Sequence, residues 1–444
     1  MLPPMPEEVQ KKGNQMFSLK KTVAAAGAAV MLLSVGACGG QGDKNADGKT
    51  EISFQTWNLK NDKYTPYFKE LIAAYEKANP NVTIKWMDQP SDNYEEKLSS
   101  QAAAKELPDI VDAGPSLQYG LAKAGALMNI TKEDPGAKDQ FYPNAWKAVT
   151  FSGKGMQTAS YGFPWYVNDG PNYYNTQLMQ KCGLDPNKLP VTWDDYFSQA
   201  QTMVNSGCGA YMSTMMAADA GDYASAGVDF MNKDQTEYTF NTPKAVAFLQ
   251  KFVDLFKAKG IPAEALDASW SQQGDFFQRG SIIAMGGSAY SAADFKKNSP
   301  DLYSHLTVGP KISDLGKSAT VGYEMLSVSA ATKHKDEALK FVKFVTNKKN
   351  QLEFAKKSST FPSSKGGLED PYYAKIDEGD LQGKALKITL KAVENGFSSR
   401  PAQFTDAAGS KYLQQQVALA LQGKQTAKQA LDKAVDFANG KLNK

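Results

Sequence analysis

The chain predicts an α/β fold of two domains, on three observations. At 444 residues it exceeds what one hydrophobic core comfortably supports. Its 42% hydrophobic and 22% charged content is that of a globular protein rather than a disordered or membrane-embedded one. Between residues 50 and 113, period-2 strands alternate with period-3.6 helices in the order β-α-β-α-β, which implies a largely parallel sheet covered on both faces.

Taken in order, Ile52 to Trp57 reads as a first strand, with Trp57 and Asn58 at its carboxyl end. A helix from about Tyr64 to Ala78 buries Phe68, Leu71, Ile72 and Tyr75, and Asn79-Pro80 ends it. Val82 to Trp86 is a strand, Tyr94 to Ala104 a helix, Asp109 to Asp112 a buried strand and Leu117 to Ala126 a short helix. Tyr161 to Val167 is a strand broken by Pro164, which cannot donate to a ladder and so marks an edge or a crossing between domains. Tyr174 to Lys181 has helical spacing, stopped by Gly183 and Pro186. Thr192 caps a helix from about Trp193 to Val204, with Asp194 and Asp195 complementing the dipole of its first turn. Further on, Ala245 to Lys257, Gly274 to Gly280 and Asp336 to Val345 read as helices, Ser281 to Met285 as a strand and Val321 to Ser329 as an extended crossing.

The chain's inventory disfavours most chemistry. A formal net charge of +3 argues for no nucleic-acid partner. Only His305 and His334 are present, too few for a multi-histidine metal centre, and no nucleophile elbow, zinc-protease helix, phosphate loop or dinucleotide fingerprint occurs. Adjacent acids such as Asp194 and Asp195 serve helix capping better than glycosidic cleavage, which needs carboxylates on two sides of one bond. No catalytic residue, cofactor or metal site is expected.

The amino terminus reads as an address. Lys20 and Lys21 precede an apolar run, Thr22 to Val35, too short to span a bilayer and ending in small residues. Val35-Gly36-Ala37-Cys38 resembles a lipobox, making Cys38 the lipid-modified first residue of a protein held at the extracellular face of the cytoplasmic membrane. Residues 1 to 15 lie ahead of the charged region, so Met16 is the expected start. Residues 38 to 50 form a tether, and its calcium-loop-like Asp43, Asn45 and Asp47 are coincidental because Phe54 stands where the bidentate acid belongs. In that oxidising compartment Cys182 and Cys208 are either bridged or two inert thiols. Both lie just past helix ends, and the bridge is the expectation.

Several motifs together resemble one family. Gly162-Phe163-Pro164, Tyr174-Asn175, Cys182-Gly183-Leu184 and Thr192-Trp193-Asp194-Asp195 occur in the order of the central signature of bacterial extracellular solute-binding proteins, sugar-binding branch. Leu107-Pro108-Asp109-Ile110-Val111 is similar to the family's Pro-Asp-Ile element, and Phe277-Gln278-Arg279-Gly280 with Ala284-Met285 to its Phe-x-x-Gly-x-x-x-Met element. The resemblance implies a two-lobed periplasmic-binding-protein-like fold, each lobe a mostly parallel sheet flanked by helices. Residues 1–37 would be extension and signal, 51–163 plus 325–363 lobe one, and 164–324 plus 364–444 lobe two. It implies a monomeric component of an ABC importer that captures a carbohydrate, here a neutral oligosaccharide, between closing lobes and passes it to a membrane permease.

Aromatic rings beside amides and single carboxylates, at strand ends and in crossing segments, suit such a ligand, because sugars offer flat apolar faces and hydroxyl edges. The candidates are Trp57 with Asn58, Asp112 with Ser116, Trp165 and Tyr166 with Asn168, Asp222 with Tyr223, Tyr323 with Glu324, and Trp270 and Tyr290. Trp86 and Trp193 read as core. Other readings are a ferric-ion binder using Tyr173-Tyr174, a polyamine binder, and a lipid-anchored glycoside hydrolase.

Overall fold

The computed structural model describes residues 48–90, 92–266, 270–405 and 408–442. The signal segment, Cys38 and most of the expected tether lie outside these residues. So do the side chain of Trp270 and residues 267–269.

A six-stranded sheet carries the first half of the chain. Strands β1 (Thr50–Trp57), β2 (Val82–Gln89) and β3 (Ile110–Ala113) are parallel, joined by helices Thr65–Ala78 and Tyr94–Ala104 as the periodicity predicts. After a hairpin of β4 (Thr150–Gly153) and β5 (Met156–Ser160), the strand β6 (Phe163–Asn168) enters the same sheet. Next comes β7 (Asn172–Asn175), which pairs antiparallel with both β8 (Ala284–Gly286) and β9 (Leu306–Gly309) in a second, three-stranded sheet. The chain returns through β10 (Gly322–Val328) and β11 (Phe361–Pro362), and the large sheet has the order β11-β6-β10-β3-β1-β2.

Strand directions therefore correct the expectation of mostly parallel sheets. Among the strands of the described residues, β1–β2 and β1–β3 are the parallel pairs, while β10 runs against both β3 and β6. The physical reason is that the crossing segments are themselves ladder strands, and a chain that leaves through β6 must come back through β10. A second correction concerns Tyr174, which ends a strand rather than opening a helix. Asn175 is the cap, its side chain accepting from Leu178 N–H, and the helix is Thr176–Lys181.

Pro164 sits inside the large sheet at an irregularity, not at its edge. Tyr323 pairs with Val167 and Met325 with Pro164, so two residues of β6, Trp165 and Tyr166, oppose the single residue Glu324 of β10. The carbonyl of Pro164 accepts instead from Gln351 Nε2 at 3.1 Å. A bulge of this kind re-aims side chains that strict alternation would have placed elsewhere.

Two separate apolar cores lie on the faces of the large sheet, one around Phe54, Phe68, Trp165 and Phe354, the other around Val111, Tyr119, Phe151 and Met325. The largest core belongs to the other lobe and packs helix Trp193–Ser206 on helix Pro243–Lys257 and the C-terminal helices. Thr192 and Asp195 form a reciprocal capping box at the start of the first of these helices. A disulfide joins Cys182 to Cys208 across 26 positions, tying the ends of helices Thr176–Lys181 and Trp193–Ser206 together.

Candidate functional site

A cavity of about 710 Å³ opens where β6 leaves the large sheet and β7 enters the small one. Its floor is the turn Asn168-Asp169-Gly170, held by backbone approach so close that a Cβ on Gly170 would stand 2.0 Å from the Gly287 carbonyl oxygen. Nothing larger than hydrogen fits there. Asp169, buried, pairs with the Lys311 ammonium, which also donates to Thr320 Oγ1 at 3.0 Å, and Ser318 Oγ donates to the other carboxylate oxygen at 3.4 Å. Around this ion pair the lining alternates polar groups (Asn168, Asn172, Thr214, Gln273, Gln414) with the methionines Met215, Met216 and Met285 and the ring of Tyr290.

Asp219 and Asp222 enter from helix Ala220–Ser225, where they form a capping box. Burial, and then the neighbouring charge of Asp219, push the Asp222 carboxyl up to about 7. Arg400 lies 3.7 Å from Asp219.

A second cluster sits on the large sheet. Asp112 of β3 is fully buried, and neither carboxylate oxygen has a well-formed hydrogen bond, the Trp57 backbone N–H facing it without ideal geometry. Burial and the charges of Glu324 and Asp88 hold its carboxyl well above the ordinary range. Glu324, at the bulge, has Oε2 sealed from solvent and unpartnered, and burial raises its carboxyl to about 8. Asp88 accepts on one oxygen, Oδ1, from Thr56 Oγ1 at 2.6 Å and from Leu59 N–H at 3.0 Å. Tyr94 donates to the Asp112 carbonyl at 2.7 Å and lies beneath Trp57, ring centroids 6.4 Å apart. Tyr166 lies within electrostatic reach of Asp112 and Glu324 below and of Tyr64 and Tyr290 above.

Among the residues singled out from sequence, Asn168, Asp222 and Tyr290 line the cavity, and Asp112, Tyr166 and Glu324 form the acidic cluster beside Trp57. Ser116 is half-buried in the first turn of helix Pro115–Lys123, and Asn58 is exposed at a left-handed position, φ 52°. Tyr323 is buried with an unpartnered hydroxyl. Trp165 is a correction: it is fully buried, stacked on Phe354 at 5.3 Å with Phe68 and Tyr166 at its edges. Tyr223 is another, because its ring turns into the aromatic core of Phe230, Phe240 and Phe248 while its neighbour Asp222 faces the cavity. Trp193, expected in the core, is there but also borders the cavity, its indole N–H donating to Ser225 Oγ. Of the tyrosine pair, Tyr173 donates to the Ser288 carbonyl and Tyr174 is sealed in the largest core.

Sequence reasoning missed Asp169, Lys311 and the three methionines. Lys311 meets Asp169 across 142 positions, a pairing that no local pattern announces.

The family model for bacterial extracellular solute-binding proteins matches residues 61–352. The chain belongs to that family. Members are substrate-binding proteins that work outside the cytoplasm. Among its relatives, the diacetylchitobiose binding protein DasA of Streptomyces coelicolor is 23% identical over 358 residues, 78% of this chain and 82% of the relative. The arabinooligosaccharide-binding protein of Bacillus subtilis is 24% identical, over 71% of this chain and 73% of its own length. A crystal structure of the cyclic alpha-maltosyl-1,6-maltose binding protein from Arthrobacter globiformis superposes with a TM-score of 0.72 at 20% identity, covering 89% of this chain and 99% of that one. Likeness at that identity carries the two-lobed periplasmic-binding-protein fold and nothing finer.

Among the described residues of this family member, no group of three or more His, Cys, Asp or Glu side chains is placed to hold a metal ion, and no helix is long and apolar enough to cross a membrane.

Proposed function

We propose that this solute-binding protein captures an oligosaccharide for an ABC importer, held between its lobes at the cavity lined by Asn168 and Tyr290. The observation that carries the reading is the cavity itself. Its volume of about 710 Å³ suits several sugar rings rather than an ion. Its lining interleaves amide and hydroxyl groups with methionine and tyrosine surfaces, the mixture that hydroxyl edges and flat C–H faces require. That relatives bind diacetylchitobiose and arabinooligosaccharides supports a glycan ligand. Tyrosines Tyr173 and Tyr174, committed to a backbone carbonyl and to the core, lend the ferric-ion alternative no support.

Further parts of the proposal are that lipid on Cys38 tethers a monomer to the outer membrane face, and that the closed form is what the permease recognises. Residues 51–163 with 325–363 then make one lobe, and 164–324 with 364–444 the other. Titration calorimetry of the domain from about residue 48 against neutral and N-acetylated oligosaccharides tests the reading. Saturable binding of at least one glycan is expected, and spermidine binding in place of every glycan would overturn it. Mass spectrometry of the membrane fraction should find the mature chain beginning at acylated Cys38.

A further inference from the structure

Two carboxyl groups without partners are an expensive arrangement inside a protein, since a buried acid that is neither paired nor hydrogen-bonded forfeits its solvation. Asp112 is fully buried with no side-chain partner and only the Trp57 backbone N–H facing its carboxylate, and Glu324 presents a second, partly open carboxyl beside it, with Oε2 unpartnered. Tyrosines lie near them. Tyr166 faces Glu324 across the β6–β10 bulge and lies within electrostatic reach of both acids and of Tyr64 and Tyr290, and Tyr290 also lines the cavity. The chain shows what this mouth attracts: the ammonium of Lys63, from the exposed loop before helix Thr65–Ala78, lies 5.0 Å from the Tyr64 ring centroid and 5.7 Å from that of Tyr290. Both distances are within the range at which a cation is held by a ring face.

Resting on the oligosaccharide reading above, we propose that Tyr64, Tyr166 and Tyr290, above Glu324 and Asp112, form a subsite for the protonated amine of an amino sugar. A neutral hydroxyl satisfies one acceptor, whereas an ammonium carries three donors and a charge that the acids otherwise lack. The aromatic rings supply its apolar and cation–π contacts, and the Lys63 ammonium occupies the entrance that the ligand would take over. Asp88 already has one oxygen, Oδ1, engaged by Thr56 and Leu59, and the Tyr94 hydroxyl is committed to a carbonyl. The raised carboxyls mean that the empty subsite holds protons, and an arriving ammonium would displace at least one into solvent.

The test compares two trisaccharides of the same backbone, β-1,4-linked glucosamine and its fully N-acetylated form, by calorimetry at neutral pH in buffers of different ionisation enthalpy. The glucosamine trisaccharide should bind tighter by about tenfold, the scale of one added charge-assisted hydrogen bond, with protons released to the buffer. In Glu324→Gln that preference should fall toward one. Exposed Lys63→Met should raise it, because the ligand's ammonium no longer contends with the chain's own. Equal or weaker binding of the glucosamine form by the wild-type protein overturns the proposal and leaves glycan capture standing, and so does a preference that neither substitution moves. Binding of neither trisaccharide nor any neutral glycan overturns the glycan reading, and the subsite with it.

Discussion

Glu324 is held protonated by its position, and the consequence can be read in a stability profile. Its folded carboxyl is raised from 4.5 to about 8, so between those values the native state keeps a proton that the unfolded chain has lost. The stabilisation is fully present below about pH 4.5 and is lost as pH rises through about 8. Asp222, raised to about 7, adds a loss of the same sign. The melting temperature of Glu324→Gln should therefore gain on that of the wild type as pH increases across this window, measured by thermal denaturation. A constant difference at every pH would show that the Glu324 carboxyl is not buried in solution. Two aromatic residues separate in the same way. Tyr290, 38% exposed at the cavity, should cost about 1–3 kcal/mol of glycan affinity as Tyr290→Ala with the melting temperature nearly unchanged. Trp165→Ala should instead cost about 3–5 kcal/mol of folding stability, the scale of truncating a buried tryptophan. Affinity lost in the second variant and kept in the first, with both folded, would reverse these roles.

At the scale of elements, the disulfide fastens two helices that share few other constraints at their ends. Reduction, or Cys182→Ser with Cys208→Ser, should destabilise the domain by about 3 kcal/mol on the chain-entropy account of a loop this long, read from denaturant midpoints. Thiol labelling of the unreduced, unfolded protein should find neither cysteine reactive. Much at this scale was legible from sequence, because it is local: the caps at Thr192 and the spacing of Phe68, Leu71 and Tyr75 depend on neighbours within a turn or two. Pro164 was legible as a break in a ladder. Its effect is not, since a bulge resets the alternation that tells core from cleft, and Trp165 beside it turns into the core. Strand direction beyond β3 escaped for a related reason, as pairing between β10 and β3 joins segments far apart in the chain.

For the whole molecule, capture should be a change of population. A ligand touching both lobes binds the closed arrangement better and shifts the equilibrium toward it by no more than that difference in affinity. Small-angle scattering should show a smaller radius of gyration with saturating glycan. An identical curve with and without ligand would mean that the lobes do not move.

One set of contacts bears on time rather than affinity. Ser152, on the β4–β5 hairpin beside the large sheet, donates to Gln235 Oε1 at 3.1 Å, and Gln403 Nε2 bridges the Ser152 carbonyl and the same Gln235 oxygen at 3.2 and 3.1 Å. Gln235 and Gln403 flank the aromatic core of Tyr238 and Phe404, so on the lobe division proposed above these bonds join the two lobes. On the proposed closure mechanism they would have to break before a bound glycan could leave, which would tie its residence time to three neutral side chains outside the cavity lining. An importer fed by such a protein would receive its cargo at a pace that the fastening sets, whichever sugar is carried.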